Sequence, residues 1–107
     1  MPNSKVKILV VDDEPKIRLL LRRCLEPDGY QVLEAANANK TFELIQSEKP
    51  DLITLDLQLG EDSGLSIAAK IRATSNVPII MVTGKGEVID KVVGLEARGF
   101  ILGGAIA

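Results

Sequence analysis

The stretch Asp51-Leu52-Ile53-Thr54-Leu55-Asp56-Leu57 places the tightest constraint on what this chain can fold into. It is an apolar run with β-branched residues, entered from a Lys49-Pro50 turn, and reads as a short buried strand. It closes on an acid, Asp56, and turn formers follow from Gly60 to Gly64. A carboxylate at the end of a buried strand costs folding energy unless something satisfies it. The carboxyl ends of strands in an open parallel sheet are also where ligands bind. Asp56 is therefore the residue whose presence needs a reason. Asp51 opens the strand at the opposite edge and is not a candidate.

The remaining chain alternates strand and helix patterns around this run. Lys5 to Val11 is nearly continuous in apolar residues, as in a strand buried on both faces, and ends on Asp12-Asp13-Glu14. Pro15 suits a first helical turn. Ile17, Leu20, Leu21, Cys24 and Leu25 then recur at helical spacing, and Pro27-Asp28-Gly29 stops the helix. Cys24 sits on that stripe and reads as core packing rather than a reactive thiol. Tyr30 to Ala36 is a second, less apolar strand expected nearer an edge. Asn37 to Glu48 is a helix with Ala38, Phe42 and Ile45 on one face.

After the Asp56 strand, Ser63 is the expected cap of a third helix, whose apolar positions are Leu65, Ile67, Ala68, Ala69 and Ile71. Val77 to Val82 forms a fourth strand, ending on Thr83 and a Gly84-Lys85-Gly86 turn. Val88, Ile89, Val92, Val93 and Leu95 mark a fourth helix, and Gly99 to Leu102 the start of a fifth strand. This alternation predicts an α/β fold with a doubly wound parallel sheet.

Composition narrows the function. With 107 residues, 46% apolar and 26% charged, the chain suits one domain around a single core. The absence of histidine and a single cysteine exclude His-based catalysis, an internal disulfide and cysteine-rich metal sites. A net charge of -2 gives no footprint for nucleic acid or an anionic membrane. The polar N-terminus and the lack of a long apolar run lead to the expectation of a soluble, cytoplasmic protein.

Three strands end in polar residues: Asp12-Asp13, Asp56 and Thr83. Each alone is an ordinary feature, a solvated cap or a turn. A parallel sheet brings all three ends to one edge. Carboxylates gathered there repel one another and need a cation, and hard oxygen donors suit Mg²⁺. Mg²⁺ retains waters and favours phosphate oxygens, and an aspartate can serve as a covalent nucleophile in phosphoryl transfer. The residues thus read as an acyl-phosphate site in which Asp56 attacks.

The motifs Val10-Val11-Asp12-Asp13-Glu14-Pro15, Asp51 to Leu57 and Val77-Pro78-Ile79-Ile80-Met81-Val82-Thr83-Gly84 resemble the receiver domains of bacterial response regulators, the CheY-like family. The resemblance spans residues 5–96 of a single domain, 1–107, and leaves 97–107 as an atypical tail. It implies a flavodoxin-like sheet of order 2-1-3-4-5. It also implies that Asp56 takes a phosphoryl group from the phosphohistidine of a sensor histidine kinase or phosphotransfer protein. By the same resemblance Asp13, Asp56 and the Gln58 backbone carbonyl hold Mg²⁺, Asp12 assists through water, and Thr83 contacts the phosphoryl oxygens and reports the modification. The protein would then be a signalling switch in a phosphorelay rather than a turnover enzyme.

The chain departs from the family pattern in three places. No lysine follows Lys91, whereas the family has one near the position of Ala105. The fifth helix is missing, with Phe100 left as the only candidate switch aromatic. Gly60 stands where a proline is common. These departures keep a second reading open, a degenerate receiver that binds proteins but switches poorly. A small phosphohydrolase is a third, disfavoured because the chain has no room for a substrate cap. The missing helix also predicts self-association through the face it leaves bare.

Overall fold

A computed structural model describes residues 5–82 of the chain. β1 (Lys7–Val11) and β3 (Leu52–Asp56) lie side by side, flanked by β2 (Gln31–Ala35) and β6 (Ile79–Val82). The order is β2-β1-β3-β6, and every pairing in this sheet is parallel. This is the expected start of a 2-1-3-4-5 sheet, with the less apolar β2 at an edge. Between β3 and β6 the chain adds β4 (Gln58–Leu59) and β5 (Asp62–Ser63), a small antiparallel hairpin where the sequence suggested only a loop.

Helices cover both faces. α2 (Ala38–Glu48) and α3 (Gly64–Arg72) bury one face, where Leu9, Val11, Ile53, Leu55, Ile79 and Met81 pack with Ile67, Ala68 and Ile71. Ala38, Phe42 and Ile45 complete that layer from α2, as their spacing predicts. A threonine in this core, Thr41, is fully buried and satisfied, because its hydroxyl donates to the Asn37 carbonyl at 2.8 Å. The opposite face carries a smaller cluster of Ile8, Val10 and Val32, onto which Leu21 and Leu25 of α1 (Pro15–Leu25) pack. A short 3-10 turn (Glu26–Asp28) ends α1 where Pro27-Asp28-Gly29 is expected to.

Three local expectations need correction. Cys24 is exposed rather than packed in the core, and Leu20 beside it is 57% exposed. The cause lies on the other border of the helical stripe. Arg18 and Arg22 both grip the Glu34 carboxylate of β2, at 2.9 and 2.7 Å, and Arg22 also reaches the Val32 carbonyl. These contacts roll α1 toward β2 and turn the Leu20–Cys24 border outward. In α3, Ile67, Ala68 and Ile71 are buried, whereas Leu65 and Ala69 are exposed, because nine residues present only one narrow face to the sheet. Ser63 occupies the position before α3, at the end of β5, but its side chain makes no capping hydrogen bond.

The expected fourth helix, fifth strand, Thr83, Phe100 and the atypical tail lie outside the described residues, as does the segment on which the bare-face expectation rests. Among the described residues no helix is long and apolar enough to cross a membrane.

Candidate functional site

Strand register brings the acids together. Val11 of β1 pairs with Leu55 of β3, so the next residues, Asp12 and Asp56, leave the sheet side by side. The Asp12 amide donates to the Ala35 carbonyl at 3.1 Å, which extends the ladder and holds Asp12 at the sheet edge, only 4% exposed. Asp13 follows in the open. One carboxylate oxygen from each of Asp12, Asp13 and Asp56 lies within 4.8 Å of the other two. They line a cleft of about 360 Å³ together with Glu14, Ile17, Gln58 and Gly60.

The electrostatics of this cleft are unfavourable to its own charges. Burial raises the Asp12 carboxyl above its ordinary value, and repulsion from Asp13 and Glu14 adds to it. The Glu14 amide, which donates to Asp12 Oδ1 at 2.9 Å, and the nearby Arg18 oppose that rise only in part. Asp56 is likewise raised, first by burial and then by the charge of Asp12, against the Gln58 amide and with a further push from Asp13. Three carboxylates held close, two of them raised, repel one another in a way that a cation would relieve.

The donor set is all oxygen, which suits a hard divalent ion. Oxygens that all lie within 4.8 Å of one another are close enough to share one divalent ion. The residues fit such an ion.

The hairpin sets the orientation of Gln58. The Gly64 amide donates to the Leu57 carbonyl at 2.7 Å, so Leu57 and Gly64 form a hydrogen-bonded pair. Gln58 and Ser63, next along the ladder, are then the non-hydrogen-bonded pair, whose backbone groups turn away from each other. The Gln58 amide faces the site instead, with a long 3.4 Å contact to Asp56 Oδ1. In an extended residue the carbonyl points to the same edge as the amide.

Several contributors were not read as site residues from the sequence. A Cβ on Gly64 would run into the Asp56 carbonyl oxygen and lie 2.9 Å from Leu57 Cα, so only glycine lets α3 start this close to β3. Gly60 donates its amide to Asp13 Oδ2 at 3.1 Å. Arg18 Nη1 donates to the Asp12 carbonyl at 2.7 Å and holds the end of β1. The Glu14 contact had a readable signal, an aspartate two residues before the amide it accepts from. The glycine contacts depend on chain segments meeting in space. Thr83, the residue after Val82, lies outside the described residues.

Comparison with known proteins agrees with this geometry. Residues 8–102 match the sequence profile of the response regulator receiver domain. The chain is 43% identical over 96 residues to the "Probable transcriptional regulator ycf27" of Porphyra purpurea, covering 90% of this chain but 40% of that protein's length. A crystal structure of a response regulator from Burkholderia pseudomallei, with a phosphorylated aspartic acid, calcium ion and citrate, is 35% identical with a TM-score of 0.77. That similarity covers 92% of this chain and 58% of the other. The BeF3-activated N-terminal receiver domain of RstA from Klebsiella pneumoniae is 28% identical with a TM-score of 0.76, covering 90% and 84% of the two chains. With sheet order, acidic edge and sequence profile in agreement, this chain belongs to the response regulator receiver domains of two-component signalling systems.

Proposed function

We propose that this domain accepts a phosphoryl group on Asp56 from the phosphohistidine of a sensor histidine kinase or a phosphotransfer protein. The observation that carries the proposal is the meeting of Asp12, Asp13 and Asp56 at the carboxyl end of the central strands. An Asp56 carboxylate oxygen attacks phosphorus and forms an acyl-phosphate bond. The phosphorus–nitrogen bond breaks, and its electron pair leaves with the imidazole of the donor.

Asp13, Asp56 and the Gln58 carbonyl are the residues that hold Mg²⁺ in this reading, and Asp12 assists through a water. The ion supplies charge neutralisation at the transferred oxygens. The protein's own contribution is placement. β3 fixes Asp56 beside Asp12, and the hairpin turns the Gln58 backbone toward it. Thr83 takes the role of contact to the phosphoryl oxygens and reporter of the modification. The phosphorylated aspartate of the Burkholderia protein and the BeF3-activated state of the Klebsiella domain support this chemistry for a site of the same family.

The test is incubation with beryllium fluoride and Mg²⁺, followed by NMR of the backbone amides, and with acetyl phosphate, followed by intact mass. One phosphoryl equivalent on the parent and none on Asp56→Asn is the expected outcome. Modification that persists unchanged in Asp56→Asn refutes the assignment. A parent chain that binds Mg²⁺ but takes no phosphoryl group is instead the degenerate binding module.

A further inference from the structure

Asp13 does not face the cleft unsupported. Its Oδ2 accepts the Gly60 amide at 3.1 Å, across 47 residues of sequence. Gly60 is braced from its other side, where its carbonyl accepts Gln58 Nε2 at 2.8 Å. It opens the two-residue turn between β4 and β5 with a φ of +63°, and Glu61 after it is not in the positive-φ region. Glycine at the first central position with this sign pattern is the type II′ hairpin turn. A Cβ at Gly60 would meet nothing within 4 Å, so the site imposes a backbone conformation and an N–H, not a shortage of space.

This chain has a hydrogen-bond donor at the position where the family it resembles commonly has proline, a residue with no backbone N–H and a φ fixed near -65°. A donor on one oxygen of a metal-binding carboxylate orients the group and leaves the other oxygen for the ion. We propose that the Gly60 amide is a positioning group of the cation site, which holds Asp13 through Oδ2 and couples the β4–β5 hairpin to cation occupancy. This rests on the reading of the acidic edge as a Mg²⁺ site. The coupling is reciprocal: a hairpin that orients Asp13 favours the ion, and the ion in turn stabilises the hairpin.

The test compares Mg²⁺ affinity by calorimetry for the parent, Gly60→Ala and Gly60→Pro. Both substitutions oppose a positive φ, but only proline removes the N–H. The expected result is a loss of about tenfold or more in affinity for Gly60→Pro, with Gly60→Ala clearly closer to the parent. Equal losses in the two variants would mean that turn strain alone matters and would overturn the proposal. A parent that binds no Mg²⁺ overturns the site reading and this proposal together, whereas a parent that binds while Gly60→Pro binds equally well overturns this proposal alone. A second measurement needs no metal and no change at the turn. Hydrogen exchange of the Gly60 amide should speed up in Asp13→Ala and much less in Asp12→Ala, which removes an equal charge nearby. The same rate in both variants refutes the tether.

Discussion

Asp12 and Asp56 weaken the fold they belong to, and that cost is the clearest mark of function at the scale of single residues. Asp12 is buried, repelled by its neighbours and raised above its ordinary value. Asparagine in its place keeps the oxygen that accepts the Glu14 amide, removes the charge and turns the second oxygen into an NH2 group. Asp12→Asn is therefore expected to stabilise the metal-free protein at pH 7, by about 0.5–2 kcal/mol, the usual gain on relieving an unfavourable site. Urea denaturation with and without the substitution checks this, and a destabilised variant counts against the electrostatic account. The three acids were legible in sequence because Asp12-Asp13 and Asp56 follow two apolar runs, and a parallel sheet collects such ends. Cys24 was misread because periodicity gives the stripe of a helix but not its roll. The roll is set by Glu34, on another element.

Helix starts show how far element-level reading reaches. Asn37 and Ser63 both stand at N-cap positions with extended backbone, and both residue types are favoured there. Only Asn37 acts as a cap, its side chain accepting the Lys40 amide at 2.8 Å. Asn37→Ala is expected to cost about 1 kcal/mol, and Ser63→Ala a few tenths at most, in paired thermal or urea unfolding. Comparable losses in the two would show that the Ser63 hydroxyl caps α3 after all. The hairpin that leads into Ser63 was not legible. Its strands are two residues long, too short for alternation to register, although a glycine opening a two-residue turn is a recognisable hairpin signal. Sheet order, by contrast, came from the family resemblance, and composition placed only the more polar Gln31–Ala35 at an edge.

In the whole molecule the site acids, the ion pairs on α1 and the proposed cation are linked through protons. The folded-state values of Asp12 and Asp56 are raised, so their charges penalise the metal-free fold at neutral pH. That penalty fades as pH falls through the raised values and is gone below the ordinary value of 3.8. Glu34 runs the other way. Its hydrogen bonds from Arg22 and Arg18 lower it, so its contribution is present above the ordinary value of 4.5 and is lost as pH falls through the lowered one. The metal-free protein should therefore gain stability from its site on mild acidification and lose the Arg–Glu34 contribution only in stronger acid. A bound cation needs Asp12 and Asp56 ionised, so its binding releases protons wherever they are partly protonated. At a hundredfold excess over its dissociation constant, Mg²⁺ should stabilise the domain by about 2.7 kcal/mol at pH 7. At a fixed Mg²⁺ concentration the gain should shrink as pH falls toward the carboxylate range, and Asp13→Ala should diminish it at every pH. Thermal unfolding at several pH values, with Mg²⁺ and with a chelator, measures both effects. A Mg²⁺ gain that is independent of pH across the carboxylate range, or that survives Asp13→Ala intact, would place the ion somewhere other than this edge.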